Sequence, residues 1–353
     1  MSGLEDERVT IVGAGIAGLV ASINLAREGY RTTVLEREPT IGGLDQWHPS
    51  VHMTPMRPKE TWEYLGIDLS DCFSPVKLGM VYSYGKKFRL DSKSLYLVER
   101  SGRDTSIDSF LYKMALKEGV NFRFSKNSKS AGLQNTQGNR IIASGLYKGM
   151  YEDLNLSHYL IRGWRAHSET DREDELFIYF NHYTTDYCYL SAKNNLIFGL
   201  LFDRGRKPTQ EHLERFKKEL EKTQGIVFED WTYSTGCSPT TTQLFRGSLI
   251  LSGTLSGMID PFLQFGIVGS LISGKIAALA VDDRNKAEID FKNFTKRFKT
   301  SRLMKKIYNK IPFRSVFQPM IMNNLDRYRF ITRPMFGGIP GFVEKDWLKT
   351  IED

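Results

Sequence analysis

Apolar and polar positions set a rhythm at the start of the chain. The run Val9-Thr10-Ile11-Val12 is continuous and short and stops at Gly13, which predicts a buried strand ending in a turn. From Ile16 to about Arg27 the pattern is helical, and Arg31 to Glu36 reads as a second strand. Lys59 to Leu65 predicts a short helix ended by Gly66. Alternation from Val76 to Val98, with a turn at Gly85-Lys86, predicts a strand meander. Apolar residues at 107, 110, 111, 114 and 115 share one helix face, and Gly119 ends that helix. Val120–Phe124 and Arg140–Gly145 follow as strands.

The middle of the chain is helix-poor and aromatic. Leu160–Ser168, Glu175–His182, Tyr187–Ser191 and Leu196–Phe202 read as four strands of a separate antiparallel sheet. Thr209 to Gln224 is a charged amphipathic helix, with Thr209 as N-cap and Gly225 as its stop. An apolar strand, Ser248–Gly253, then leads into a helix of small residues over Val268–Val281, suited to close packing. Asp45 to Pro58, punctuated by prolines, reads as a loop holding His48 and His52.

Composition narrows the function class. A chain of 353 residues with 41% apolar residues fits two domains or one large domain with insertions. Cys72, Cys188 and Cys237 are far apart and odd in number, which points to a reducing, cytoplasmic setting. Met1–Arg8 is polar and acidic, so no secretory signal is expected, and no apolar run has the length of a membrane span. His48 and His52 stand four apart, but Pro49 between them argues against a zinc-binding helix. No Ser-His-Asp or metal-ligand constellation is present. The formal net charge is +8, concentrated late in the chain. Phe291 to Arg314 interleaves Lys292, Lys296, Arg297, Lys299, Arg302, Lys305, Lys306 and Lys310 with Phe294, Phe298, Leu303 and Ile307. That spacing suits basic amphipathic helices, either solvated on the protein surface or resting on anionic lipid headgroups. The clustering and the lack of any reader motif argue against nucleic acid as a partner.

The chemistry sits in Gly13-Ala14-Gly15-Ile16-Ala17-Gly18. Gly13 permits the tight turn, Gly15 lets the backbone approach a pyrophosphate, and Gly18 lets the helix pack on the strand. The helix N-terminus offers free N–H groups to the phosphates. Glu36, about 20 residues on, is placed to hold ribose hydroxyls. Ala14, Ala17 and Arg37 complete this dinucleotide-binding set. Gly42 and Gly43 allow a second close approach or a simple turn. The fingerprint alone does not separate FAD from NAD.

Three stretches carry a family resemblance: the fingerprint, Leu97-Val98-Glu99-Arg100 before a helix, and Gly253-Thr254-Leu-Ser-Gly257-Met-Ile-Asp260-Pro261 with Gly266-Ile267. Together they resemble the FAD-dependent geranylgeranyl reductases, part of the p-hydroxybenzoate-hydroxylase-like flavoproteins. The resemblance implies an α/β fold. A Rossmann-like FAD-binding domain (1–45, 95–150 and 245–285) would carry an inserted antiparallel-sheet substrate domain (46–94 and 151–244). A C-terminal basic helical segment (286–353) would follow. It implies that Gly13, Gly15 and Gly18 hold the FAD pyrophosphate, Glu36 the adenosine ribose, and Arg100 the phosphates or ribityl chain. The helix start at Gly266 and Ile267 would face the flavin carbonyls, with Asp260 in the same segment. Thr254 stands where the family carries the aspartate that binds the ribityl chain. No cysteine stands beside Gly42-Gly43, and the family's aromatic substrate signature is degenerate around Tyr187-Cys188-Tyr189.

The activity this implies is reduction of carbon–carbon double bonds in an isoprenoid or other lipid-like substrate, by hydride transfer from reduced flavin N5. An FAD monooxygenase or dehydrogenase on an apolar substrate is the alternative, and a non-catalytic flavin-fold module for membranes or partners is the third. Tyr187, Tyr189 and His52 are the substrate-site candidates. His48 and Cys188 join them as proton-donor candidates, with no catalytic acid assigned. With no second G-x-G-x-x-G in the chain, the donor is NADPH or a reduced redox protein. The protein is expected in the cytoplasm, with a peripheral membrane contact through 291–314 as an option.

Overall fold

The strand–turn–helix start folds as its pattern demands. In the computed structural model, which describes residues 8–42, 48–127, 138–325, 327–344 and 346–352, β1 (Arg8–Val12) is followed by α1 (Ile16–Arg27) and β2 (Arg31–Leu35). β1 pairs in parallel with β2 from Arg8↔Arg31 to Val12↔Leu35, and on its other side with β9 (Asn139–Ile142). With β8 (Asn121–Arg123), β15 (Phe245–Arg246) and β16 (Leu249–Leu251) they form a six-stranded sheet, ordered β15-β16-β9-β1-β2-β8. Only the β15–β16 pairing is antiparallel. Every residue of α1 from Ile16 to Leu25 is buried, because the sheet, α3 (Ile107–Lys117) and α6 (Ile267–Asp282) surround it. Removing Leu19, Val20, Ile23 and Leu25 from water stabilises this core by about 1.5–3 kcal/mol each.

The second sheet has eight strands. Its order is β14 (Thr232–Pro239), β10 (His158–Glu169), β13 (Leu196–Asp203), β12 (Cys188–Lys193), β11 (Glu175–Phe180), β5 (Leu78–Ser83), β6 (Lys86–Leu90) and β17 (Thr350–Glu352). It is antiparallel apart from the β5–β11 pair. Alternation sorts its side chains: Cys188 and Leu190 face Phe216 and Leu220 of α5 (Gln210–Gln224), whereas Tyr187 and Tyr189 face the opposite layer. Thr209 caps α5 reciprocally with His212, and Gly225 closes it in the left-handed region.

Two expectations are corrected, the first being the Val76–Val98 meander, because Leu95–Arg100 does not continue it beside Lys86–Leu90 but joins a separate three-stranded sheet. Asp45–Pro58 was to be a loop, but Ser50–Pro55 is strand β3, paired with β7 (Leu95–Arg100) from Ser50↔Arg100 to Pro55↔Leu95. Its prolines lie just before the strand and at its end, where they cost no central hydrogen bond. β4 (Phe73–Pro75) completes this three-stranded sheet. Two short helices, α2 (Pro58–Leu65) and α4 (Lys148–Asp153), lie between the sheets' strands in the chain.

Four helices follow α6: α7 (Arg284–Thr295), α8 (Phe298–Lys310), α9 (Arg314–Asn323) and α10 (Arg329–Phe336). The chain then returns as β17 to pair with β6. The basic face is real, but Lys305 is not on it. Lys305 is buried, with Nζ 2.9 Å from Asp186 Oδ1 and 3.0 Å from the Thr185 carbonyl.

Asp186, Arg204 and Lys305 form a buried ionic hub. Arg204 Nε donates to Asp186 Oδ1 at 2.9 Å, while its Nη1 and Nη2 donate to the carbonyls of Pro261 (2.6 Å) and Phe262 (2.7 Å). One guanidinium thus ties the eight-stranded sheet to the loop preceding α6, and Lys305 adds α8. Burial opposes ionisation of Asp186, but Arg204 and then Lys305 outweigh it and hold the carboxyl well below the usual range. In the tied loop, Asp260 Oδ2 accepts the N–H groups of Phe262 and Leu263, while Oδ1 is buried without a partner among the described residues. Burial pushes this carboxyl up to about 7.

Two outcomes follow from the hub and its loop. Arg204→Met removes one partner of a buried pair and is expected to lower stability by about 3–5 kcal/mol, read by urea denaturation. For Asp260, the native state keeps a proton that the unfolded chain releases near 3.8, so native stability falls as pH rises from there to about 7. Asp260→Asn is expected to remove that loss. Its melting temperature should gain on the wild type as pH rises from about 4 to about 7 and then hold that gain.

Candidate functional site

A cavity of about 640 Å³ opens where the sheets meet, within the range of small-molecule sites. One end is built from the glycine turn. Gly13 has φ +104°, and a Cβ on it would stand 2.5 Å from the Ala143 carbonyl oxygen. A Cβ on Gly18 would stand 2.0 Å from the Gly13 carbonyl oxygen. These two positions admit no side chain because backbone already fills the space. Gly15 differs: a Cβ there would meet only Arg100 Nη2, at 3.9 Å, so its open side is the cavity itself.

Charged groups frame this end. Glu36 Oε2 accepts the Ala14 N–H at 2.6 Å and its Oε1 accepts the Glu38 N–H at 2.9 Å, fastening the end of β2 to the turn. Arg37 lies 4.3 Å over the ring of Tyr147 and pairs with Glu38 at 2.7 Å. Arg100 closes the side, held in a two-point bond by Asp108, Nη2 to Oδ1 at 2.7 Å and Nε to Oδ2 at 3.2 Å. Asp108 is buried in the first turn of α3, so the guanidinium is fixed in direction.

The second helix N-terminus opens on the same space. No side chain caps α6 at Gly266, which leaves its first N–H groups and dipole for a ligand. Thr254 Oγ1 stands 3.7 Å from where a Gly266 Cβ would be, so these residues face each other. Ser144 and Gln264 line the cavity, and Ser144 Oγ and Gln264 Oε1 are buried without a hydrogen-bond partner among the described residues. A ligand with phosphate and hydroxyl groups on one side and ring amide groups on the other fits this donor and acceptor set.

The far end is apolar. Met53, Ile161, Tyr187, Tyr189, Leu200 and Phe202 line it, with His48 and His52 at its edge. His48 Nδ1 lies 2.8 Å from Ser50 Oγ, Ser50 Oγ 2.9 Å from His52 Nε2, and His52 Nδ1 3.4 Å from Tyr189 Oη. Burial, then Arg100, pushes His52 down to about 3 and His48 well below its ordinary value. Both rings are therefore neutral, and the chain of four groups carries no fixed charge. Tyr187 donates to the Leu263 carbonyl at 2.6 Å.

Of the residues read from sequence, Gly13, Ala14, Gly15, Ala17, Glu36, Arg37, Arg100, Thr254, Gly266, Ile267, His52, Tyr187 and Tyr189 line this one cavity. Gly18 lies behind it in the α1–β1 contact. Asp260 does not line it, since its carboxylate turns back onto its own loop. Gly43 lies outside the described residues. Cys188 points into the α5 layer, where burial raises its thiol above the ordinary range. Sequence reasoning missed Ser144, Tyr147, Gln264 and Ile161. Only the small residues ending the Arg140–Gly145 strand hinted at the first.

Comparison with known proteins agrees with this geometry. Residues 11–46 match the NAD(P)-binding Rossmann-like domain. The chain is 24% identical over 373 residues to a digeranylgeranylglycerophospholipid reductase of Methanococcus vannielii, covering 92% of this chain and 90% of that protein. It is 43% identical over 53 residues to flavin-containing monooxygenase FMO GS-OX2 of Arabidopsis thaliana, covering 15% of this chain and 12% of that protein. Among solved structures, a mutant of 2-methyl-3-hydroxypyridine-5-carboxylic acid oxygenase superposes with a TM-score of 0.62 at 13% identity, covering 86% of this chain and 90% of that chain. That last likeness concerns the fold. Residues 11–46 therefore carry an NAD(P)-binding Rossmann-like unit, and FAD is the cofactor that the donor and acceptor set of this cavity fits.

Proposed function

We propose that this protein is an FAD-dependent oxidoreductase that reduces carbon–carbon double bonds of an isoprenoid or other lipid-like substrate. The observation that carries the reading is the continuous cavity, charged and glycine-lined at one end and apolar at the other. The near full-length similarity to a lipid reductase supports it. When bound, FAD supplies the two-electron redox chemistry. The chain's own residues do the rest. Gly13, Gly15 and the α1 N-terminus hold phosphate, Arg100 adds a fixed cation, and Glu36 presents an acceptor beside them. Met53, Ile161, Leu200 and Phe202 exclude water and orient an apolar chain.

Tyr189 is the group best placed to hand a proton to substrate. Tyr189 lines the cavity, its hydroxyl meets His52, and the His52–Ser50–His48 chain offers a path for replacing that proton without a buried charge. The donor of electrons is NADPH or a reduced redox protein. Exposed Leu303 and Ile307 on α8, beside exposed Lys299, Lys306 and Lys310, support a peripheral contact with an anionic membrane. No helix among the described residues is long and apolar enough to cross one.

A second reading is an FAD monooxygenase on an apolar substrate. The local identity to flavin-containing monooxygenases and the oxygenase-like fold favour it. Absorbance spectra of the purified protein, with mass spectrometry of its solvent extract, begin the test. Bound flavin with a polyprenyl lipid supports the reductase. Donor-dependent oxygen consumption coupled to product favours the monooxygenase. Absence of flavin after added FAD overturns both.

Two variants sharpen this. Gly15→Val is expected to fold, because only the cavity side receives its side chain, yet to lose flavin absorbance at 450 nm by roughly tenfold or more. Tyr189→Phe is expected to keep full flavin content while single-turnover oxidation of reduced flavin by substrate slows by about 100-fold.

A further inference from the structure

A second cavity, also of about 640 Å³, lies between the end of α7, α10 and the segment that follows α10. It shares no lining residue with the first. Four cations line it: Lys296 and Arg297 from the α7–α8 junction, Arg329 and Arg333 one turn apart on α10. Two acids also line it. Asp346 lies 3.8 Å from Arg329, and Glu344 lies 3.9 Å from Arg57 outside the cavity. Lys296, Arg297 and Arg333 have no side-chain partner among the described residues. Two guanidinium groups and an ammonium group without a partner among the described residues, on the lining of one hollow, are the electrostatic form of a phosphate site, since arginine matches phosphate oxygens in two-point fashion.

The rest of the wall is unlike that of a site for a free inorganic ion. Phe336, Ile339, Val343 and Trp347 line it as well, Phe336 on the same helix as Arg329 and Arg333. Phe330, between the two arginines on α10, is 73% exposed. Apolar lining residues, cations and a neighbouring exposed aromatic ring together match an amphiphile whose head is a phosphate and whose tail is hydrocarbon. We propose that this cavity binds the phosphate head of an anionic phospholipid. Lys296, Arg297, Arg329 and Arg333 take the phosphate, and the first part of the acyl chain lies against Trp347 and Phe336. The assignment stands apart from the chemistry proposed for the first cavity, because it needs neither flavin nor turnover.

Trp347 makes the site readable by its own fluorescence. The full chain with FAD bound would be titrated with monomeric dihexanoyl phosphatidic acid, dihexanoyl phosphatidylcholine and inorganic phosphate. The expected result is a saturable change in tryptophan emission with phosphatidic acid, absent in Trp347→Phe and at least tenfold weaker with phosphatidylcholine. Arg329→Gln with Arg333→Gln should weaken binding by tenfold or more, with flavin content and circular dichroism unchanged. Lys296→Gln with Arg297→Gln tests the opposite wall and carries the result if the first pair fails to fold. No saturable response in the wild type overturns the site, as does equal affinity in both paired variants. Equal affinity for phosphatidylcholine overturns the role of charge. Full competition by inorganic phosphate at the same concentration overturns the amphiphile and leaves a soluble phosphate ester as the ligand.

Discussion

The structure depends on how closely α1 can lie on its neighbours. A side chain at Gly18 would run into the carbonyl of Gly13, and one at Gly274 would stand 2.6 Å from the carbonyl of Ala17. Glycine at both positions lets α1 press onto β1 on one side and onto α6 on the other. That double contact brings two uncapped helix N-termini to a single cavity. Their dipoles then act on the same ligand, which a looser packing of the same helices would separate.

The apolar half of the cavity depends on a different device. The central strands β12 and β13 of the eight-stranded sheet are buried on both faces, and alternation there sends Tyr187 and Tyr189 to the cavity and Cys188 and Leu190 to α5. The sheet is then fixed to the nucleotide half through Arg204, which holds Asp186 with one part of its guanidinium and two loop carbonyls with the rest. Lys305 fastens α8 to the same carboxylate. Buried ion pairs are seldom a source of net stability, but breaking one is costly. Here the hub works as a three-way registration point: sheet, flavin-side loop and C-terminal helices share one anion.

Fold and chemistry remain separate questions for such a chain. The oxygenase and the lipid reductase it resembles act differently, and sheets of this kind host both. What the local structure adds bears on the substrate of the proposed reading: the neutral His48–Ser50–His52–Tyr189 chain and an apolar wall line that end of the cavity. An acidic or strongly polar substrate would find few partners there. The C-terminal helices add a surface where cationic and apolar side chains stand together, in keeping with an amphiphilic environment.

The sequence by itself determined the elements whose signals are local. The glycine turn, α1 from Ile16 to Arg27, the Thr209 cap and Gly225 stop of α5, and the small-residue helix α6 were all legible, because backbone sterics, capping and periodicity act within a few residues. The cofactor end of the cavity was legible for the same reason, since Gly13, Gly15 and Glu36 belong to one contiguous unit. Only the tertiary structure decided the rest. Proline spacing made Ser50–Pro55 read as loop, and pairing with β7 made it a strand. A lysine periodicity put Lys305 on a basic face, and a carboxylate 119 positions earlier in the chain drew it inside. Asp260 looked like a ligand and became a cap for its own loop. Ser144, Tyr147 and the second cavity gave little or no sign, because long-range packing brings together residues whose sequence neighbours carry no record of the meeting.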